Sequence, residues 1–201
     1  MTVKKLIIIN ILAVLFFAAI FYFDSHANVE LGPGVFAPDV PIQKNLKEIE
    51  ITSFKGYSLE FLAEFEITGK ILSKENYYLG REAELSPFDF VMGWGRMSDE
   101  AVLNRIEISQ SRRWYHWKTK HYPIPRREIE ISSANMHMIP ATDEIERQLD
   151  SYKVGNIVFI KGYLIYARAS DGWHWKSSTT REDTGGGACE VIFVKSTKLV
   201  K

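Results

Sequence analysis

Residues 171–194, "DGWHWKSSTTREDTGGGACEVIFV", hold most of the side chains here that could do chemistry. On a strand following an Asp171-Gly172 turn, Trp173 and Trp175 share one face while His174 and Lys176 share the other. Two coplanar indoles about 7 Å apart form a stacking surface for sugars or bases. The plainer reading is that they cover one end of a core. Arg181, Glu182 and Asp183 lead into three glycines, residues 185–187. A glycine run lets backbone amides approach an anion closely. It lacks the spacing of a phosphate loop or a dinucleotide fingerprint, and a strand pattern follows it rather than a helix. A hairpin loop with Arg181 and Asp183 as a surface ion pair is the alternative.

The second group is "SRRWYHWKTKHYPIPRR", residues 111–127. Six cations (Arg112, Arg113, Lys118, Lys120, Arg126, Arg127) alternate with Trp114, Tyr115, Trp117 and Tyr122, and no acid interrupts them. Cations interleaved with rings suit single-stranded nucleic acid, an acidic glycan or lipid head groups. They also suit a solvated edge whose long side-chain stems lie over the rings.

Nucleophilic catalysis would fall to Cys189, with His137 or His174 as base and Asp183 or Glu190 orienting it. An exported thiol transpeptidase would carry an arginine two residues after the cysteine, and Val191 stands there. A buried, inert thiol opening an apolar strand is the bland reading. His116, His121, His137 and His174 show no paired metal-ligand spacing, so no metal and no cofactor is implied.

The elements that must position these groups follow from periodicity. Residues 57–78 alternate over Leu62, Phe65, Ile67 and Ile71, with Gly69 as a bend or bulge. Between that strand and the next helix, "FDFVMGWG" (88–95) reads as an apolar, glycine-punctuated connection. Ser98 caps a short helix over 99–105. A second strand spans 106–119 and a third 128–139, separated by Pro123 and Pro125. Thr142 caps an amphipathic helix in which Ile145 and Leu149 share a face. Strands over 155–167 (with Gly162 at its centre), 173–179 and 190–200 complete the domain.

This β-β-β-α-β-β order predicts a mainly β protein resembling the small Greek-key barrel of the oligonucleotide/oligosaccharide-binding (OB) fold. Its second and third strands would then carry the ligand face. The exported region also resembles an uncharacterised bacterial family of membrane-anchored proteins, through "GWGRMSDEAVL" (93–103), "PIPRREIE" (123–130), "SANMHMIPA" (133–141) and "TREDTGGGACE" (180–190). That resemblance implies a location and no activity.

Location rests on the amino terminus. Lys4 and Lys5 precede an apolar run over residues 6–23, broken by Asn10 alone. As a helix the run is about 27 Å long, near the thickness of a bilayer core. The lysines predict a cytoplasmic start, so the remainder lies across the membrane. The rival is a signal peptide cleaved after Ala27 in "SHA". Residues 1–27 are therefore anchor or signal peptide, 28–56 an extended tether, and 57–201 the barrel domain.

Net charge is zero, which supplies no bulk attraction for nucleic acid. The expected protein is a single-pass, inner-membrane binding or assembly module facing the periplasm or cell exterior, non-catalytic, with a protein partner or an acidic glycan as ligand. Nucleic acid ranks below both, since DNA would need an uptake role. The expected ligand residues are Arg112, Arg113, Trp114, Trp117, Trp173, Trp175, Arg181 and Asp183. The competing class is an envelope hydrolase or transferase using Cys189 and His137.

Overall fold

A computed structural model describes residues 10–12, 14–16, 27–180 and 188–201. Its strands are β1 (Ile42–Phe54), β2 (Tyr57–Asn76), β3 (Phe88–Gly93), β4 (Glu107–Ser111), β5 (Trp114–Lys118), β6 (Ser133–Pro140), β7 (Ile157–Arg168), β8 (His174–Lys176) and β9 (Glu190–Leu199). Four short α-helices lie between them, α1 (Arg81–Leu85), α2 (Glu100–Leu103), α3 (Arg126–Ile131) and α4 (Asp143–Ser151), with a 3-10 turn at Gly95–Ser98. The protein is mainly β.

Seven strands form one mixed sheet in the order β1-β2-β3-β6-β9-β7-β8, and β2 also pairs with β7. Strands β2, β3, β6, β9 and β7 therefore close on themselves as a ring, with β1 and β8 as outer flaps. Every pairing is antiparallel except β6 with β9. Phe65, Phe90, Met92, Met136, Met138, Ile160 and Ile192 fill the interior, and Ile145 and Leu149 of α4 pack against the same core.

Closing so few strands demands sharp bending. In β2 the register shifts between Phe61 and Ala63 and again between Ile71 and Ser73, so the bulges flank Gly69 rather than fall on it. The first shift also exchanges faces: Leu59 packs in an outer apolar layer, whereas Ala63, Phe65 and Ile67 point inward. At Gly162 the β7–β9 register slips, and a Cβ there would meet the Phe193 carbonyl oxygen at 2.0 Å. Only glycine permits that crossing of two backbones.

Several sequence expectations change. Residues 28–56 are not a free tether. Val29 donates its N–H to the Val154 carbonyl at 2.8 Å, and the Leu31 and Gly32 amides each donate to the Glu100 carboxylate at 2.6 Å. Gly34 donates to Asp99 at 2.8 Å and Ala37 to the Ser98 hydroxyl at 3.1 Å. Residues 42–54 then form β1 along β2. The folded unit thus begins near Val29 rather than Tyr57, because acidic and hydroxyl groups distant in sequence hold the strap.

Ser98 is occupied in this way, and it is Asp99 that caps α2 by accepting from the Ala101 amide at 2.9 Å. The expected strand at 106–119 is a separate two-stranded hairpin, β4–β5, that turns at Arg112-Arg113. The strand that takes its place in the ring is β3, which lies in the stretch read as an apolar connection. Residues 126–131 are helical rather than the start of a strand, since Ile129 enters a second small core with Met97, Val102, Ile106 and Ile124. The helix capped by Thr142, and β7 and β9, are where periodicity placed them.

Of the expected anchor, residues 10–12 and 14–16 are helical and the rest lies outside the described residues. Among the described residues no helix is long and apolar enough to cross a membrane.

Candidate functional site

The ring register sorts side chains to two faces. Asp89 pairs with His137 and Val91 with Asn135 across β3–β6, while Met136 pairs with Glu190 and His137 with Val191 across β6–β9. Paired residues share a face, and Phe88, Phe90, Met136 and Ile192 are interior. Asp89, Asn135, His137 and Cys189 therefore stand together on the outer face. Glu190 points the other way, so it cannot orient His137.

A carboxylate and an imidazole on an outer face would normally meet water. Here the β4–β5 hairpin lies over them. Its two turn residues, Arg112 and Arg113, adopt φ of 50° and 66°, the left-handed region that a tight two-residue hairpin requires and that favours asparagine and glycine. Arg113 is fixed there on four sides. Its guanidinium donates to Asp89 Oδ1 at 2.8 Å and to the Ser86 carbonyl at 3.0 Å, and its backbone amide donates to the Tyr77 hydroxyl at 3.2 Å. The guanidinium also stacks 3.9 Å from the centre of the Tyr77 ring and 5.3 Å from that of Trp175.

Asp89 is 0% exposed and His137 3%. His137 Nδ1 lies 2.9 Å from Asp89 Oδ1, at ion-pair distance but not aligned as a hydrogen bond. The second carboxylate oxygen, Asp89 Oδ2, is buried without a hydrogen-bond partner. Asn135 links the cluster to the hairpin: its Nδ2 donates to the Arg113 carbonyl at 3.0 Å and also lies 4.0 Å from Cys189 Sγ, while its Oδ1 accepts from Gln110 at 2.8 Å. Trp175 closes the far side with its ring 4.6 Å from that of His137. Burial, and next the Asp89 charge, push the Tyr77 hydroxyl above its ordinary value despite the Arg113 amide and guanidinium. Tyr115, bonded to Ser133 at 3.1 Å, is pushed up to about 12 by burial.

Two grooves meet at this cluster. One, about 630 Å³, is lined by Tyr77, Arg112, Arg113, Trp114, His137, Trp173, His174, Trp175, Lys176 and Cys189, with Glu82 its one acid among the described residues. The other, about 580 Å³, runs along β5 past Trp117, Lys118 and Tyr122 to Asn135 and Glu190. Trp114 and Cys189 line both.

The fold thus gathers Arg112, Arg113, Trp114, Trp173 and Trp175 with His137 and Cys189, while Trp117 lies in the adjoining groove. Arg181 and Asp183 lie outside the described residues. Three roles change. Arg113 already neutralises Asp89, so it builds the groove instead of holding a ligand. The planes of Trp173 and Trp175 stand 70° apart at 6.3 Å, not coplanar, because Trp173 sits edge-on to Tyr57 and Trp175 leans on His137. Trp114 and Trp117 point to opposite faces of β5; Trp114 is 45% exposed and Trp117 packs on the small core beneath the hairpin.

Asp89, Gln110, Asn135 and Tyr77 were missed by sequence reasoning. The only signal for Asp89 was a lone acid inside an otherwise apolar "FDFVMG". Among the described residues, no three His, Cys, Asp or Glu side chains are placed to hold a metal ion. No family model, no curated protein and no solved structure matches the chain.

Proposed function

We propose that the chain is a ligand-binding module on an OB-type barrel. Residues 6–23 anchor it in the bacterial inner membrane, and its domain faces the periplasm or cell exterior. In support of the barrel is the ring order β2-β3-β6-β9-β7, with its single parallel pair and with α4 between β6 and β7. In support of the location are the apolar run and the two lysines before it. The ligand is an acidic glycan lying across the outer face of β3 and β6.

One observation carries this reading: Arg112, Trp114, Trp173, Trp175 and Lys176, from two separate hairpins, line one groove in which Glu82 is the one acid among the described residues. Rings stack on sugar faces while the cations meet carboxylates, at about 1–3 kcal/mol per stacked ring. A flat anionic surface on an envelope protein would engage the same residues. Trp173 also carries the Arg81 guanidinium, 5.4 Å from its ring centre, which ties β8 to the opposite lip.

The test is tryptophan fluorescence of the full chain in detergent, titrated with a uronic-acid oligosaccharide at low and high salt. A saturable change weakened about tenfold or more by Arg112→Ala with Lys176→Ala, and by added salt, supports the glycan. A flat titration excludes it and redirects the search to a protein partner.

A further inference from the structure

We propose that the groove carries a thiol acyl-transfer site, with Cys189 as nucleophile, His137 as its base, Asp89 as the residue that positions His137, and Asn135 as the oxyanion donor. This goes beyond ligand binding, and it rests on geometry that binding does not explain.

The register puts the four side chains on one sheet face, from three adjacent strands of the ring or their immediate ends. Cys189 and His137 line the same groove. Asp89 and His137 are nearly or wholly buried beneath it, and each has a polar atom with no hydrogen-bond partner, Asp89 Oδ2 and His137 Nδ1. A structural tie for the hairpin needs only Asp89 and Arg113. It does not need an imidazole 2.9 Å from the same carboxylate oxygen, with its ring facing the thiol's groove. With Nδ1 turned toward Asp89, the other ring nitrogen is left to accept a proton. Such contacts are often long or poorly aligned before substrate binds.

Asn135 supplies the remaining part. Its Nδ2 bears two hydrogens; one is used on the Arg113 carbonyl at 3.0 Å, and the nitrogen lies 4.0 Å from Sγ. The second is directed at Sγ itself, so the amide already faces the nucleophile, beside which the negative charge of a tetrahedral intermediate develops. Two grooves meeting at Cys189 provide one seat for the acyl group and one for the leaving group.

The substrate class is a carboxylic ester, thioester or amide. The thiol proton passes to His137, and sulfur bonds to the carbonyl carbon. The carbon–heteroatom bond breaks as His137 returns the proton to the leaving group. Water or a second nucleophile then attacks the thioester, giving its proton to His137, and the thiol is regenerated. No electrons are gained or lost.

The test uses the full chain and two probes, p-nitrophenyl acetate and iodoacetamide. The expected result is a stoichiometric burst of p-nitrophenol, with the acetyl group found on the Cys189 peptide by mass spectrometry. His137→Gln slows the burst about 100-fold. Asp89→Asn moves its pH profile, which a merely structural residue would not do. Asn135→Ala slows acetylation about 100-fold and alkylation by iodoacetamide at least tenfold less than that, because alkylation builds no oxyanion. Thermal melts of each variant separate these effects from unfolding. Acetylation of Cys189 no faster than that of a free thiol, or a burst unaffected in folded His137→Gln, overturns the proposal. An inert thiol together with a saturable oligosaccharide titration overturns this site and leaves the binding module standing.

Discussion

One ion pair anchors the Leu31–Gly32 part of the strap that begins the folded unit, and Glu100→Gln tests it. The Lys70 ammonium lies 2.6 Å from Glu100 Oε1, with side chains only 4% and 15% exposed. Both carboxylate oxygens also accept strap amides, from Leu31 and Gly32. Glutamine keeps the shape and one acceptor, but it removes the charge from two amide bonds and strands the Lys70 ammonium in a nearly dry site. Removing one partner of a buried pair costs about 3–5 kcal/mol, and the retained acceptor places this change near the lower end, about 3 kcal/mol. For a domain of this size that lowers Tm by about 6–12 °C.

The pH dependence has a definite sign. Burial alone would raise the Glu100 carboxyl, but the Lys70 ammonium and then the Leu31 and Gly32 amides outweigh it and hold it below its ordinary value. The stability it contributes is present above the ordinary carboxylate range and is lost as pH falls through the lowered folded value. The gap between wild type and variant therefore narrows in acid. The assay is circular-dichroism melting of wild type, Glu100→Gln, Lys70→Met and the double variant, with amide exchange at Leu31 and Gly32. A coupling of about 1.5 kcal/mol or more and faster exchange at both amides are expected. A loss below about 1 kcal/mol with no coupling would refute the claim that this pair holds the strap.

Gly162→Ala places a Cβ 2.0 Å from the Phe193 carbonyl oxygen, so β7 and β9 must part; the expected loss is about 3 kcal/mol in urea denaturation. Thr142→Ala removes the hydroxyl that accepts from the Ile145 amide at 3.3 Å and costs about 1 kcal/mol, read as a fall of a few degrees in Tm. The Tyr115 hydroxyl, at about 12 when folded, stays protonated in the native state while the unfolded phenol ionises near its ordinary value of 10. Stability is therefore lost as pH rises between those values, by up to about 2–3 kcal/mol, and Tyr115→Phe removes that slope from an alkaline denaturation series.

Elements whose side chains divide between core and solvent were legible in the sequence. Ile145 and Leu149 announce one face of α4, and the Thr142 cap marks its start. Strand β3 was not legible, because all six of its residues are buried and nothing alternates. Residues 126–131 misled for the opposite reason: Ile129 and Ile131 stand two apart as in a strand, yet Ile129 is drawn into a separate core beneath the hairpin. The strap could not be read locally, since the acids that hold Leu31, Gly32 and Gly34 lie 65–69 residues away. The candidate site divides along the same line. Its exposed cations and rings cluster visibly in sequence, whereas Asp89 and Asn135 are ordinary residues until register places them beside His137 and Cys189.

What distinguishes this outer face is that it is polar and dry. The ring interior is already filled by Phe65, Phe90, Met92, Met136 and Met138, so Asp89, Arg113 and His137 are not needed to complete it. For stability alone, apolar residues of similar volume would serve as well or better, because desolvating two charges costs about as much as their attraction returns. The chain instead turns Arg112 and Arg113 through left-handed conformations to bring a cation onto a buried carboxylate, and it lays Trp175 over the adjoining imidazole. Backbone strain and an unsatisfied carboxylate oxygen at one spot, beneath two grooves that share a thiol, are costs that packing does not explain. A reacting group that must be held in one orientation, away from water, does explain them.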